Sequence, residues 1–107
     1  MRRVYIASPY RGDTDRNVAY ARKAMAHSLV RGEAPIAPHL LYPQVLDDSK
    51  AGERIVGMVA ARELIGGCSV LAVYDDLGVS EGMKSEIEEA HRLGVTVELR
   101  RIPREAP

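Results

Sequence analysis

One cysteine, Cys68, is all the thiol chemistry in these 107 residues. That excludes an internal disulfide and any cysteine-based zinc site. Net charge is lacking as well: fifteen basic and fifteen acidic residues cancel, so no overall field draws the chain to nucleic acid polymers or to a membrane surface. The apolar runs fall far short of a membrane span, and no signal-peptide pattern precedes the first strand. Internal repeats and low-complexity linkers are missing too. The expectation is a soluble cytoplasmic protein with one domain over residues 1–107. Such a domain buries roughly 65% of its unfolded surface and is too small to carry a separate cofactor domain. Twelve of the fifteen basic residues are arginine, which suits oxyanion recognition and could equally reflect genomic composition.

The most informative stretch is Tyr74-Asp75-Asp76-Leu77-Gly78-Val79-Ser80-Glu81-Gly82-Met83-Lys84-Ser85-Glu86. Cys68 to Val73 before it is an unbroken apolar segment of strand length and reads as a strand buried on both faces. After it, Met83, Ile87 and Ala90 fall on one helical face and Gly94 is placed to end the helix. Ser80 is a good N-cap, and its hydroxyl with the free amides of the first turn favours an anion. Side chains lean toward a helix N-terminus, so Glu86 projects over the turn that holds Gly82. A glycine near a helix start costs roughly 1 kcal/mol against alanine, which suggests that something approaches backbone and carboxylate together. The spacing equally allows Glu86 to be one of four glutamates on a solvated face.

From the start of the chain, Val4-Tyr5-Ile6 predicts a strand within Arg2 to Ala7, followed by Ser8-Pro9-Tyr10-Arg11-Gly12-Asp13. Pro9 stops the strand, and Gly12 with Asp13 turns the chain into a helix of about Thr14 to Arg31. Val18, Ala21, Met25 and Leu29 are its expected inward stripe, and Gly32 its end. In the loop, Tyr10 and Arg11 are candidates for a ring-stacking and a phosphate contact, or simply belong to a polar loop. Ala34 to Ala37 predicts a short edge strand between prolines. The apolar stretch His39 to Leu46 is either covered by a partner subunit or lines a pocket; His39 reads as a ligand-base contact or as a satisfied loop histidine. Asp47-Asp48-Ser49 is expected to cap a helix of about Lys50 to Ile65 with Ile55, Val59 and Ile65 inward. A last strand, Val95 to Leu99, leads into an expected frayed tail over 100–107.

Four strands alternating with helices imply an α/β fold: a single-domain, Rossmann-like, four-stranded parallel sheet with helices on both faces. The flavodoxin-like order 2-1-3-4 brings the loops after the first and third strands together at the switch point. Ser8 to Arg11 then face Ser80 and Glu86 across one cleft.

With both loops set together, the sequence resembles the nucleoside 2-deoxyribosyltransferase-like superfamily, which includes deoxyribosyltransferases and nucleoside 5'-monophosphate N-glycosidases. The resemblance covers nearly the whole chain and rests on Val4 to Ser8 with Arg11-Gly12, and on Ser80 to Ile87 with Ala90 and Gly94. It looks closest to short members with Ser-Pro-Tyr-Arg-Gly and Ala-Pro-His-Leu-Leu-Tyr segments. The resemblance implies that Glu86 is a nucleophile. It also implies that Ser80 holds a 5'-phosphate, since a serine there is typical of the monophosphate-acting branch. One departure stands out: the aspartate usual on the helix before the third strand falls on Ala60 or Ala61 here, with Glu63 the nearest carboxylate.

The function so implied is N-glycosidic cleavage or transfer on a (deoxy)nucleoside 5'-monophosphate. An oxocarbenium-like transition state would be stabilised and trapped by Glu86. Substrate-binding candidates are Ser8, Tyr10, Arg11, Gly12, His39, Ser80 and Gly82; Asp75, Asp76 or a residue of a second subunit would deliver the proton to the base. No metal or organic cofactor is implied. A homodimer or higher homo-oligomer is expected from the apolar loop and from the family's habit of completing sites across subunits. The alternative is a catalytically weak or inactive nucleotide or ADP-ribose-like ligand-binding module.

Overall fold

The computed structural model describes residues 1–103. Its strands are β1 (Arg3–Ala7), β2 (Ala34–Ile36), β3 (Val70–Tyr74) and β4 (Thr96–Arg100). The helices are α1 (Thr14–Val30), α2 (Ala51–Ile65) and α3 (Glu81–Leu93), with 3-10 turns at Pro38–Leu40 and Tyr42–Gln44. All strand pairs are parallel and the order is β2-β1-β3-β4. Tyr5 stands opposite Leu71, and Tyr74 opposite Arg100. The β3 strand, buried at every position, is central, and β2 lies at the edge as its proline requires.

Strand alternation divides the core into two layers. Val4, Ile6, Val70, Ala72 and Tyr74 pack toward Tyr20 and Ala24 of α1. Tyr5, Ala7, Leu71 and Val73 pack toward Ala61 and Ile65 of α2 and Met83 and Ala90 of α3. Asp13 caps α1 by accepting from the Arg16 N–H (3.2 Å), and Ser80 caps α3 by accepting from the Met83 N–H (3.2 Å). Gly94 ends α3 in the left-handed region at φ +73°. Among the described residues no helix is long and apolar enough to cross a membrane.

Several local expectations are corrected. The inward face of α1 is Asn17, Tyr20, Ala21, Ala24 and Ser28, whereas Leu29 is mostly exposed. Polar residues win this face because each finds a partner: Asn17 donates to the carbonyls of Tyr10 and Arg11, Tyr20 to Asp76, and Ser28 to Glu33. On α2, Ile65 is buried as expected but Ile55 and Val59 are exposed, because the cavity-side stripe of the helix lies on its other face. Asp47 accepts from Ser49 in a local turn instead of capping α2, which starts after Lys50 without a side-chain cap. Cys68 is half-buried ahead of β3 and not inside it.

The tail expectation fails at its first residue. Arg100 ends β4 and is buried, donating to Glu33 (2.7 and 2.9 Å) and to the hydroxyl of Tyr74 (3.2 Å), and Ile102 packs on the α1-side core. The rest of the expected tail, 104–107, lies outside the described residues.

Candidate active site

The carboxyl edge of the sheet opens into a cavity of about 440 Å³ between the loop after β1, the 3-10 turns, α2 and the start of α3. Glu86 lies in its wall. The residue is 7% exposed; one carboxylate oxygen, Oε2, accepts from the hydroxyl of Tyr5, and the other, Oε1, is buried without a partner. Tyr5 reaches Glu86 because strand alternation turns it to the face that α3 covers. Its part in the site was missed from sequence, although the same alternation signals which face it takes.

Burial pushes the carboxyl of Glu86 up to about 7, against the opposing pull of the Tyr5 hydrogen bond and of Arg62. The helix start therefore does not keep it a low-pKa carboxylate, as the position of Glu86 near the N-terminus of α3 suggests. Burial and the nearby carboxylate push Tyr5 well up, so its phenol stays a neutral donor at ordinary pH. Arg62 also lines the cavity and donates to Ser85 Oγ.

Above Glu86 the start of α3 is bare. A methyl group built on Gly82 would meet nothing closer than Ser80 Oγ at 3.9 Å, so the missing side chain leaves open cavity and not a packing contact. Ser80 and Gly82 line that space with Glu86. The other wall is the apolar loop: the Tyr10 and His39 rings stack at 5.3 Å and 20°. Burial pushes His39 down, which favours the neutral imidazole. Arg11 lies at the rim with Nε 3.7 Å from Asp48 Oδ2, and its side chain is 69% exposed. Of the two ways to satisfy the apolar loop, Tyr42, Pro43 and Leu46 take the pocket, while Leu41 and Val45 remain exposed. Gly57 of α2 lets this loop approach; a methyl group there would stand 3.3 Å from Leu46 Cδ1.

The structure thus brings together Tyr10, Arg11, His39, Ser80, Gly82 and Glu86. Gly12 lines an adjoining open groove, and Ser8 is buried with its hydroxyl unpartnered, outside the residues that line the cavity. Asp75 and Asp76 also stay outside. Asp75 pairs with Arg101 (3.2 Å), and Asp76 accepts from Tyr20 (2.6 Å) and from the Ile102 N–H (3.0 Å). Those bonds hold Asp76 below its ordinary carboxylate range. On α2, Ala61 faces the cavity and Glu63 is exposed. Arg54, Arg62 and Met58 are cavity residues that sequence reading missed; two amphipathic solutions exist for α2, and only packing selects between them. Among the described residues no cluster of histidine, cysteine and acidic side chains is arranged to hold a metal ion.

Comparison with curated proteins gives no match. Solved structures share the architecture, two of them 2-deoxyribosyltransferases. The 2-deoxyribosyltransferase of Bacillus psychrosaccharolyticus superposes with a TM-score of 0.64 at 18% identity, over 98% of this chain and 76% of that one. The 2-deoxyribosyltransferase of Leishmania mexicana superposes with a TM-score of 0.67 at 18% identity, over 96% of this chain and 66% of that one. The fold is therefore nucleoside 2-deoxyribosyltransferase-like. Residues 2–100 match the profile of a family described as a domain of unknown function, DUF7768, and the chain belongs to that family.

Proposed function

We propose that this protein cleaves or transfers at the N-glycosidic bond of a nucleoside or nucleotide, and specifically that it acts as a (deoxy)nucleoside 5'-monophosphate N-glycosidase with Glu86 as nucleophile. The observation that carries the reading is a buried carboxylate with one oxygen held by Tyr5 and the other unpartnered, beside the bare Gly82. A phosphate fits the capped start of α3, at Ser80 and the first-turn amides, with Arg11 at the rim. The sugar then crosses Gly82 with its anomeric carbon at Glu86, and the base meets the Tyr10–His39 stack.

Glu86 acts in its ionised form. Its oxygen attacks the anomeric carbon as the bond to the base breaks, and water or a second base then resolves the glycosyl ester. The oxocarbenium-like character of the transition state makes a nearby negative charge effective even before the bond forms. We also infer a homodimer or higher oligomer, supported by the exposed Ile55, Val56 and Val59 on α2 and Val45 on the loop.

The test is incubation with a panel of nucleoside monophosphates and nucleosides, with chromatography for free base, repeated with a second base added to detect transfer. Release from monophosphates that disappears in Glu86→Gln is the expected result. Binding without any release would favour the second reading, a nucleotide-binding module, which Ala61 at the expected acid position supports.

A further inference from the structure

We propose that Arg54 receives the leaving base, binding it through a carbonyl oxygen, so that the substrates carry oxo-bases of the uracil or hypoxanthine type in preference to amino-bases. This deepens the glycosidase reading and rests on it for its catalytic half. The cavity-facing stripe of α2 holds Arg54, Gly57, Met58, Ala61 and Arg62. That spacing is one helical face. The carboxylates on the cavity besides Glu86 are engaged: Asp48 lies 3.7 Å from Arg11, Glu53 accepts from the Asp47 N–H (3.1 Å), and Glu81 pairs with Lys84 (3.1 Å). A donor of a different kind stands in the wall. Arg54 Nε is buried without a hydrogen-bond partner among the described residues.

A guanidinium is a planar fork of N–H donors with no acceptor and stays charged at any working pH. It fits the O6 carbonyl and N7 of hypoxanthine, or a carbonyl oxygen of uracil, and opposes an exocyclic amino group, donor against donor. The same fork can do what a missing acid would do by another route. As a Glu86 oxygen bonds to the anomeric carbon, the C–N electron pair passes to the base and spreads onto its carbonyl oxygen. A cation already held there stabilises the developing charge. The base departs as an anion and takes its proton from water, and a second water splits the glycosyl ester, releasing sugar phosphate and returning a proton. The sum is one water consumed for each base released.

The experiment compares the wild type with Arg54→Met, which keeps the stem, and Arg54→Lys, which keeps the charge without the fork; circular dichroism checks that each is folded. Equilibrium dialysis with hypoxanthine and adenine reads base preference without any turnover. The wild type should prefer hypoxanthine, and the preference should fall about tenfold in Arg54→Met. Hydrolysis of deoxyinosine monophosphate should fall about 10²- to 10³-fold in Arg54→Met. Hydrolysis of p-nitrophenyl 2-deoxyribose 5-phosphate, whose leaving group is stable as an anion, should fall less than about tenfold. Equal losses on both substrates, or a wild type indifferent to the two purines, would overturn the assignment. A wild type that cleaves no nucleotide defeats the glycosidase reading, and the dialysis then decides base recognition by Arg54 separately.

Discussion

Tyr5 of β1 and Glu86 of α3, 81 positions apart in sequence, share a buried hydrogen bond in which the phenol donates to the carboxylate. The pair joins the first strand to the last helix at the point where the cavity begins. Tyr5 favours the charged carboxylate while burial disfavours it, so the hydrogen bond and the burial together set the pH at which Glu86 ionises.

Activity should therefore rise with pH through about 7 as Glu86 ionises. Tyr5→Phe removes the donor that favours the carboxylate, so the midpoint should move upward by about one unit, the equivalent of one hydrogen bond to a charged group. A pH–rate profile of the variant checks this. A midpoint that stays put or moves down would show that Tyr5 does not tune Glu86.

Stability should carry the opposite imprint. Because burial raises Glu86 from 4.5 to about 7, the folded chain holds its proton more tightly than the unfolded chain does between those values. Stability is then fully present below about 4.5 and falls by roughly 3 kcal/mol as pH rises through about 7. Glu86→Gln has no such proton. Urea unfolding should find it more stable than the wild type at pH 8, with the gap closing near pH 4, while its turnover falls by orders of magnitude. A gap that is the same at both pH values would refute the linkage.

Ser80 caps α3, and different substitutions separate that cap from the phosphate contact proposed for it. Ser80→Ala should lower stability by about 1 kcal/mol through the lost cap and weaken monophosphates while sparing unphosphorylated nucleosides. Ser80→Asp keeps a good cap and should restore stability, yet repel the phosphate further. Titration of both variants with a nucleoside and its monophosphate provides the comparison. Equal effects on the two ligands would remove Ser80 from the phosphate site.

The buried pair of Glu33 and Arg100 is structural and offers a control far from the chemistry. Hydrogen bonds from Arg100, Ser28 and Arg2 hold Glu33 down to about 2. Its contribution is present above the ordinary carboxylate range and is lost as pH falls toward about 2. Glu33→Gln should cost up to about 3 kcal/mol at pH 7 by removing the buried counter-ion of Arg100, which keeps only the partly exposed Glu98 (3.0 Å). The deficit measured by urea unfolding should shrink in acid; a constant deficit would point to lost packing instead.

Much of the molecule follows from short-range pattern. The uninterrupted apolar run of β3 demands burial on both faces, and serine and glycine at the ends of α3 delimit that helix by satisfying its free amides and carbonyls. Strand–helix alternation with right-handed crossovers then leads to the order β2-β1-β3-β4 and to the meeting of Tyr10 and Arg11 with Ser80 and Glu86. What periodicity could not decide was which face of α1 and of α2 turns inward, or that Arg100 would be buried. On α1, at the end of β4 and on α3 a polar group enters the interior where a distant residue satisfies it: Asp76 for Tyr20, Glu33 for Arg100, and Tyr5 for Glu86. Such partners become neighbours only when the sheet assembles, so burial of the candidate nucleophile, and the pKa that burial imposes, belong to the tertiary structure alone.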